Sequence, residues 1–155
     1  MNISKNLSNA LISGTIVGLA TFVAGSVYAA SARISPVAPT NAVSHIIWGD
    51  NAMKKNQLDL KHTGTGAMLH YLSAIWWAFW YEWGFGEQAE KKGVVKAMEG
   101  GAIISSLAYL IDYHILPKRL SPGFEARLPS NSLPIMFGVI GLTLPLRAIF
   151  NHMRS

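Results

Sequence analysis

Four apolar stretches divide the chain, and each is about long enough to form a membrane-crossing helix. They cover residues 10–30, 63–81, 94–116 and 133–150. A transmembrane helix needs about 20 mainly apolar residues, because nothing in the hydrocarbon can satisfy exposed backbone N–H and C=O groups. The first stretch has no charged side chain, and the second is interrupted only by His70. The pattern predicts an all-α integral membrane protein, a four-helix bundle that forms a single membrane domain over residues 1–155.

Small residues recur at helical spacing within two of these stretches. Gly14, Gly18 and Gly25 share one face of the first predicted helix, and Gly101 and Ser105 share one face of the third. Such stripes let membrane helices approach closely. We therefore expect these five residues to lie at helix–helix contacts.

The amino-terminal segment, residues 1–32, has a second interpretation as a cleaved secretory signal. Lys5 precedes the apolar stretch, and the small residues of 28–32 resemble an Ala-x-Ala cleavage site. However, the stretch exceeds the roughly 7–15 apolar residues of a signal core. Together with the glycine stripe, this length favours a retained helix.

The first connector, residues 33–62, is too polar to span and too long for a turn. Prolines keep its start extended, Thr40 can cap a short helix, and Gly49 can end that helix. With Trp48 near its edge, this helix is predicted to lie in the headgroup plane. A folded loop outside the membrane is the alternative.

Composition supports a membrane protein and argues against a nucleic-acid-binding protein. Charged residues make up 14% and hydrophobic residues 50% of the chain, against about 25% charged in ordinary soluble domains. The net charge of +5 is spread along the sequence, which indicates a lipid bilayer partner and no nucleic acid. Lys118 and Arg119, just beyond the third stretch, are predicted to meet anionic headgroups. Basic residues are divided too evenly between the two sides to predict orientation.

Alternating helices would gather most of the ionisable side chains near one interface. The amino terminus, the second loop and the carboxyl terminus would share one side, and the two long connectors would share the other. The predicted polar cluster on the connector side consists of His45, Asp50, His62, His70, Asp112, His114 and Glu125. An ionisable group inside a span usually faces the bundle and has a partner, so His70 and Asp112 are predicted to meet. Arg147 is interpreted as an end residue that reaches the headgroups.

Several chemistries remain open for this cluster. The histidines can be structural hydrogen-bonding groups, can handle protons or a solute, or can bind a metal or haem through His70 and His114, with Asp112 nearby. No H-E-x-x-H motif supports a metal site, and the sequence requires no cofactor. Enzymatic activity is disfavoured, because no G-x-S-x-G motif occurs and the closeness of Ser44, His45 and Asp50 along the chain does not make a triad.

Three stretches, 41–50, 62–70 and 112–125, together resemble an uncharacterised family of small bacterial inner-membrane proteins with about four hydrophobic segments. The resemblance implies a multi-pass protein of the bacterial cytoplasmic membrane and no established activity. Some relatives carry a sodium–solute symporter label, but four spans are far fewer than such a transporter fold requires.

These observations predict a small membrane component that assists solute or proton movement or the assembly of a partner. The expected partners are the bilayer and either a second copy of the chain or another membrane protein. A haem- or metal-binding module built on His70, His114 and Asp112 is the alternative.

Overall fold

A computed structural model describes residues 3–154, and this part of the chain forms only helices and turns. The α-helices are α1 (Ile3–Ser31), α2 (Ala38–Val43), α3 (His45–Trp48), α4 (Thr65–Tyr81), α5 (Glu87–Lys92), α6 (Val94–Leu110), α7 (Ser132–Thr143) and α8 (Leu146–Arg154). Three π-helical turns, Leu60–Gly64, Glu82–Gly86 and Ile111–Ile115, extend α4 at both ends and α6 at its carboxyl end. Short 3-10 turns occur at Asp50–Lys54, Lys118–Leu120 and Phe124–Ala126.

The long helices run in alternating directions. On α1, Gly14 lies against Ile75 of α4, and Thr21, further along, lies 2.9 Å from the Nε2 atom of His70. Helices α1 and α4 are therefore antiparallel, and contacts between α6 and α7 show the same relation. The start of α1 consequently lies at one end with α5 and α8, and the two long connectors lie at the other.

The helices approach one another through residues that have little or no side chain. A Cβ atom on Gly14 would lie 2.7 Å from the Ile75 Cα atom, and one on Gly101 would lie 2.3 Å from a backbone oxygen of α7. The Ser105 hydroxyl donates to the Phe137 carbonyl at 2.5 Å. Like these residues, Gly18 and Gly25 are buried. The predicted stripes thus lie at the contacts between helices.

Large apolar side chains point outward along the same helices. On α1, for example, Leu19 and Val27 are each 62% exposed. Within residues 3–154, three helical segments are long and apolar enough to cross a membrane: Ile3–Ser31, Val94–Ile115 and Ser132–Arg154. These correspond to three of the four predicted stretches and indicate a membrane protein. Helix α4 matches the remaining stretch, but as an α-helix it has 17 residues.

The last apolar stretch is interrupted near its carboxyl end. Helix α7 ends at Thr143, α8 begins at Leu146, and Pro145 lies between them. Proline has no N–H to donate and its ring collides with the preceding helical turn. The sequence pattern predicted one helix over 133–150, whereas the structure forms two consecutive helices.

The first connector forms two short helices, α2 and α3, where the sequence pattern predicted one. Helix α2 begins at Ala38, so Thr40 lies inside it and does not cap it. All six α2 residues are buried, and the Thr40 carbonyl faces Gly66 on α4. The chain turns after α3 at Gly49, as expected, with a positive φ of 76°. This segment is packed into the protein, against α4 and α1.

The two long connectors contact each other. Arg119 donates to the Ile46 carbonyl at 3.2 Å, and Arg127 donates to the Met53 carbonyl at 2.6 Å. Gly123, at φ 81°, lies against the His45 imidazole, where a Cβ atom would be 2.7 Å from the ring. These contacts form a layer of protein across the connector end.

The contact between α2 and α4 can be tested with one methyl group. A Cβ atom on Gly66 would lie 1.9 Å from the Thr40 carbonyl oxygen, whereas one on Gly138 would meet nothing within 4 Å. We expect Gly66→Ala to lower the free energy of unfolding by about 1–3 kcal/mol, the usual cost of overpacking. Gly138→Ala is the matched control and should leave stability unchanged or raise it, because alanine favours helix. Thermal unfolding in detergent measures both, and equal melting temperatures would contradict the close contact.

Candidate functional site: a cavity with His70 and Asp112

A partly enclosed cavity of about 500 Å³ lies between α1, α2, α4, α7 and the chain after α6. Its walls are mainly apolar and include Val17, Trp77, Met136 and Phe137. The polar side chains in the wall are Thr21, Ser26, Thr40, His70, Ser73 and Asp112. Ligand pockets in proteins usually measure about 300–1,000 Å³ and combine apolar walls with a few polar groups. This cavity has that size and composition.

The imidazole of His70 is fixed by hydrogen bonds to α1. Its Nε2 atom lies 3.1 Å from the Gly18 carbonyl oxygen and 2.9 Å from the Thr21 hydroxyl oxygen. A carbonyl oxygen can only accept, so Nε2 carries the proton. The Thr21 hydroxyl donates to the Val17 carbonyl at 2.7 Å, which leaves its oxygen to accept from His70. In the neutral ring this leaves Nδ1 as an acceptor.

Asp112 is the charged group in the cavity wall. It lies in the π-helical turn after α6, between Ile111 and Tyr113, and is half-buried. Within residues 3–154, the Asp112 carboxylate has no hydrogen-bond or ion-pair partner. A carboxylate in apolar surroundings is costly without a partner. Asp112 is therefore a group whose interaction is left to a molecule in the cavity or to water.

The structure places His70 and Asp112 in the wall of the same cavity but does not pair them. The hydrogen bonds of His70 go to α1, and none joins it to Asp112. Sequence reasoning brought the two groups together because both lie near one end of their helices. The rotation of α4 about its axis, which sequence spacing does not define, turns His70 towards α1.

Two of the other predicted cluster residues have structural contacts away from the cavity. His45 is buried, and its Nδ1 atom lies 2.8 Å from the Ala42 carbonyl oxygen. His62 lies beside Asp59, with its Nδ1 atom 2.9 Å from the carboxylate. Both imidazoles therefore hold the first connector in place.

The last three members of the predicted cluster also lie outside the cavity wall. Glu125 accepts a hydrogen bond of 2.8 Å from the Tyr113 hydroxyl, and Asp50 is exposed. His114 is exposed and packs edge-on against Tyr109. The seven residues therefore do not form one site.

The metal or haem alternative has no supporting arrangement of ligands. Among the described residues, no group of three or more histidine, cysteine, aspartate or glutamate side chains could hold a metal ion. His70 lies in the cavity wall with its Nε2 proton directed at α1, whereas His114 is outside the wall. No observed contact brings these two imidazoles together on one iron or metal ion.

A charged cluster that sequence reasoning missed lies at the opposite end of the molecule. We call it the end cluster, and it consists of Ser13 on α1, Glu82 after α4, Glu90 on α5 and Arg147 on α8. The Ser13 hydroxyl donates to Glu82 at 2.5 Å, and Arg147 holds Glu82 through two of its nitrogens, with Nε at 2.8 Å. Arg147 also donates to Glu90 at 2.5 Å.

The end cluster corrects the interpretation of Arg147 as a residue that reaches the headgroups. The side chains of Arg147 and Glu82 are 5% and 0% exposed. Partial burial by itself would raise the pKa of Glu90, but hydrogen bonds from Arg147 and Asn151 outweigh it and leave that pKa below its ordinary value. The sequence contained one indication of this pair. Glu82 and Arg147 have opposite charges, and each lies near the end of an apolar stretch that was predicted to end on the same side of the membrane.

Comparison with protein-family models, with curated proteins and with solved structures gives no match for this chain. The fold and the cavity therefore define its class: an all-helical membrane protein with a partly enclosed, mainly apolar cavity near its connector end.

We expect the buried ion pair between Glu82 and Arg147 to contribute to the free energy of unfolding. Arg147→Met removes both hydrogen bonds to Glu82 and leaves a buried carboxylate without a cation, which costs about 3–5 kcal/mol in comparable pairs. The double variant Glu82→Met with Arg147→Met removes the unpaired charge and should recover much of that loss. Thermal unfolding in detergent measures each variant.

Arg154→Met is the matched control for the end cluster, because Arg154 is an exposed cation on the same helix, placed over the Phe150 ring. It should change the melting temperature little. If Arg147→Met were as stable as Arg154→Met, the buried pair would not support the fold.

The start of the helical segment before α4 should depend on the ionisation of Asp59. Its carboxylate accepts from the His62 backbone N–H at 2.5 Å. That hydrogen bond, followed by the one from the His62 side chain, lowers the pKa of Asp59 below 3.8. A lowered pKa in the folded state means that the stabilisation is present above the unfolded value and is lost as the pH falls through the folded value.

The pH dependence of the His62 amide signal in NMR spectra measures this cap. We expect a titration midpoint below the ordinary aspartate value of about 3.9. Asp59→Asn should remove the titration while keeping a residue that caps helices well. A midpoint at or above the ordinary value would contradict the cap.

Proposed function

We propose that the chain is a four-span protein of the bacterial cytoplasmic membrane, with α4 as the additional span. Helix α4 has no charged residue and carries Met68, which is exposed and lies outside the cavity wall. Its 17 α-helical residues measure about 26 Å at 1.5 Å per residue, and the π-helical turns at both ends extend it to match a hydrocarbon core of about 30 Å. The resemblance of stretches 41–50, 62–70 and 112–125 to small inner-membrane proteins supports the location.

Within this membrane protein, the cavity beside His70 and Asp112 binds an amphipathic molecule that enters from the bilayer. The observation that carries this proposal is the cavity of about 500 Å³, whose apolar wall includes a few polar groups. An apolar tail can contact the aromatic and aliphatic wall, while a polar head reaches the hydrogen-bonding groups. The protein thus acts as a small membrane component that holds a lipid-like solute.

The cavity is built by a single chain, so the proposed binding does not need a second copy. Its position near the connector end places the head of a bound molecule close to one membrane surface, where amphiphiles keep their polar groups. Delivery of the bound molecule to a protein partner, or its movement between surface and interior, would use this same site.

Photochemical labelling tests whether the cavity is occupied. A long-chain alcohol with a diazirine on its tail should label the cavity wall, for example Met136, in protein reconstituted in vesicles. Excess unlabelled alcohol should compete with this labelling, because the site is saturable. Labelling of Leu19, which faces outward on α1, should be weak and should not be competed.

A bulky side chain in the cavity provides the matched comparison. Ser73 is exposed and lies in the cavity wall, so Ser73→Phe should reduce the competed labelling several-fold. Ser106→Phe makes the same change at an exposed position on α6 that is outside the wall. Labelling spread evenly over the helices, or equal effects of both variants, would overturn the proposed function.

A further inference from the structure

We infer that the cavity selects amphiphiles whose head is a primary ammonium group, held by the carboxylate of Asp112 with the Nδ1 atom of His70 as a second acceptor. This inference rests on the proposed function, since it names the chemical class of the molecule that the cavity holds.

The charge of the cavity wall is the first argument. Among the described residues that line the cavity, Asp112 is the sole carboxylate, and none is a lysine or arginine. A carboxylate with no cation nearby favours a positively charged head and disfavours an anionic one such as a fatty-acid carboxylate. The wall therefore holds no cation to balance the charge of Asp112, and a bound ammonium group would supply one.

The nearest cations along the chain do not neutralise Asp112. Lys118 and Arg119 follow it on the connector, and neither forms an ion pair with it. The Arg119 side chain instead donates to the Ile46 carbonyl. Both basic residues are exposed, so they are better placed to meet headgroups at the surface than to occupy the cavity.

The proton on His70 gives the second argument. Because Nε2–H is used on the Gly18 carbonyl and the Thr21 hydroxyl, the neutral ring can offer only an acceptor, Nδ1, to another molecule. Asp112, when ionised, also offers only acceptors. A molecule that satisfies both residues must bring several hydrogen-bond donors, and a primary ammonium brings three.

The apolar wall decides between a free cation and an amphiphile. A small hydrated cation would lose water without gaining contacts from Trp77, Met136 or Phe137, whereas an alkyl chain finds apolar surroundings there like those of the lipid it leaves. The same geometry therefore requires an apolar tail as well as a charged head.

Competition against the diazirine alcohol tests this selectivity, with dodecylamine, dodecanol and dodecanoate as competitors of equal chain length. A hydrogen bond to a charged group stabilises more than a neutral one. On the wild-type protein we expect dodecylamine to compete about tenfold better than dodecanol, and dodecanoate to compete worst. Dodecyltrimethylammonium keeps the charge but lacks N–H donors, so it should compete less well than the amine.

Two variants with the same side-chain change locate the effect. Asp112→Asn should remove the advantage of the amine while dodecanol still competes, which also shows that the variant is folded. Asp50→Asn alters an exposed carboxylate at the same end, outside the cavity wall, and should keep the wild-type order.

The outcomes separate the two proposals. If dodecanol competes but dodecylamine is no better on the wild-type protein, or keeps its advantage in Asp112→Asn, the inference is wrong and the proposed function stands. If Asp112→Asn does not fold, equal competition by the amine and the trimethylammonium compound on the wild-type protein overturns the inference. If neither the alcohol nor the amine competes at all, the proposed function itself is wrong.

Discussion

Close approach of helix backbones is the constraint on which the rest of this structure depends. Gly14, Gly66 and Gly101 each lie where a single added methyl group would collide with a neighbouring backbone. In a membrane, helices gain little by burying large apolar side chains, because lipid tails are equally apolar. Contact between small residues therefore sets how closely the helices approach, while large residues such as Tyr81 and Leu144 fill the core and others such as Leu19 face outward.

This arrangement also explains where the polar side chains are. At one end, Arg147 and Glu82 satisfy each other, so their charges are buried and paired. At the other end, His70 is tied to α1, while Asp112 lies in the cavity wall without a partner among residues 3–154. A fully paired buried charge supports structure, whereas an unpaired one beside a cavity is a candidate for binding. The asymmetry between the two ends is the basis of the proposed function.

The apolar pattern predicted the membrane class and the positions of α1, α6 and α7–α8, because length and hydropathy are properties of the chain itself. It also indicated that Gly49 ends a short helix. It did not predict that α2 is buried whole, because a six-residue helix has too few turns to reveal its buried face. The pairing of Glu82 with Arg147 was missed, since 65 residues separate them along the chain.

The sequence by itself determined which segments avoid water, which helix faces are small, and that His70 and Asp112 lie near the same end. These follow from side-chain chemistry and helical spacing, which are local. Only the tertiary structure decided that His70 faces α1, that Asp112 borders a cavity, and that Arg147 is buried. Those facts depend on how each helix is rotated against its neighbours, and that rotation is set by close contacts between residues distant in sequence.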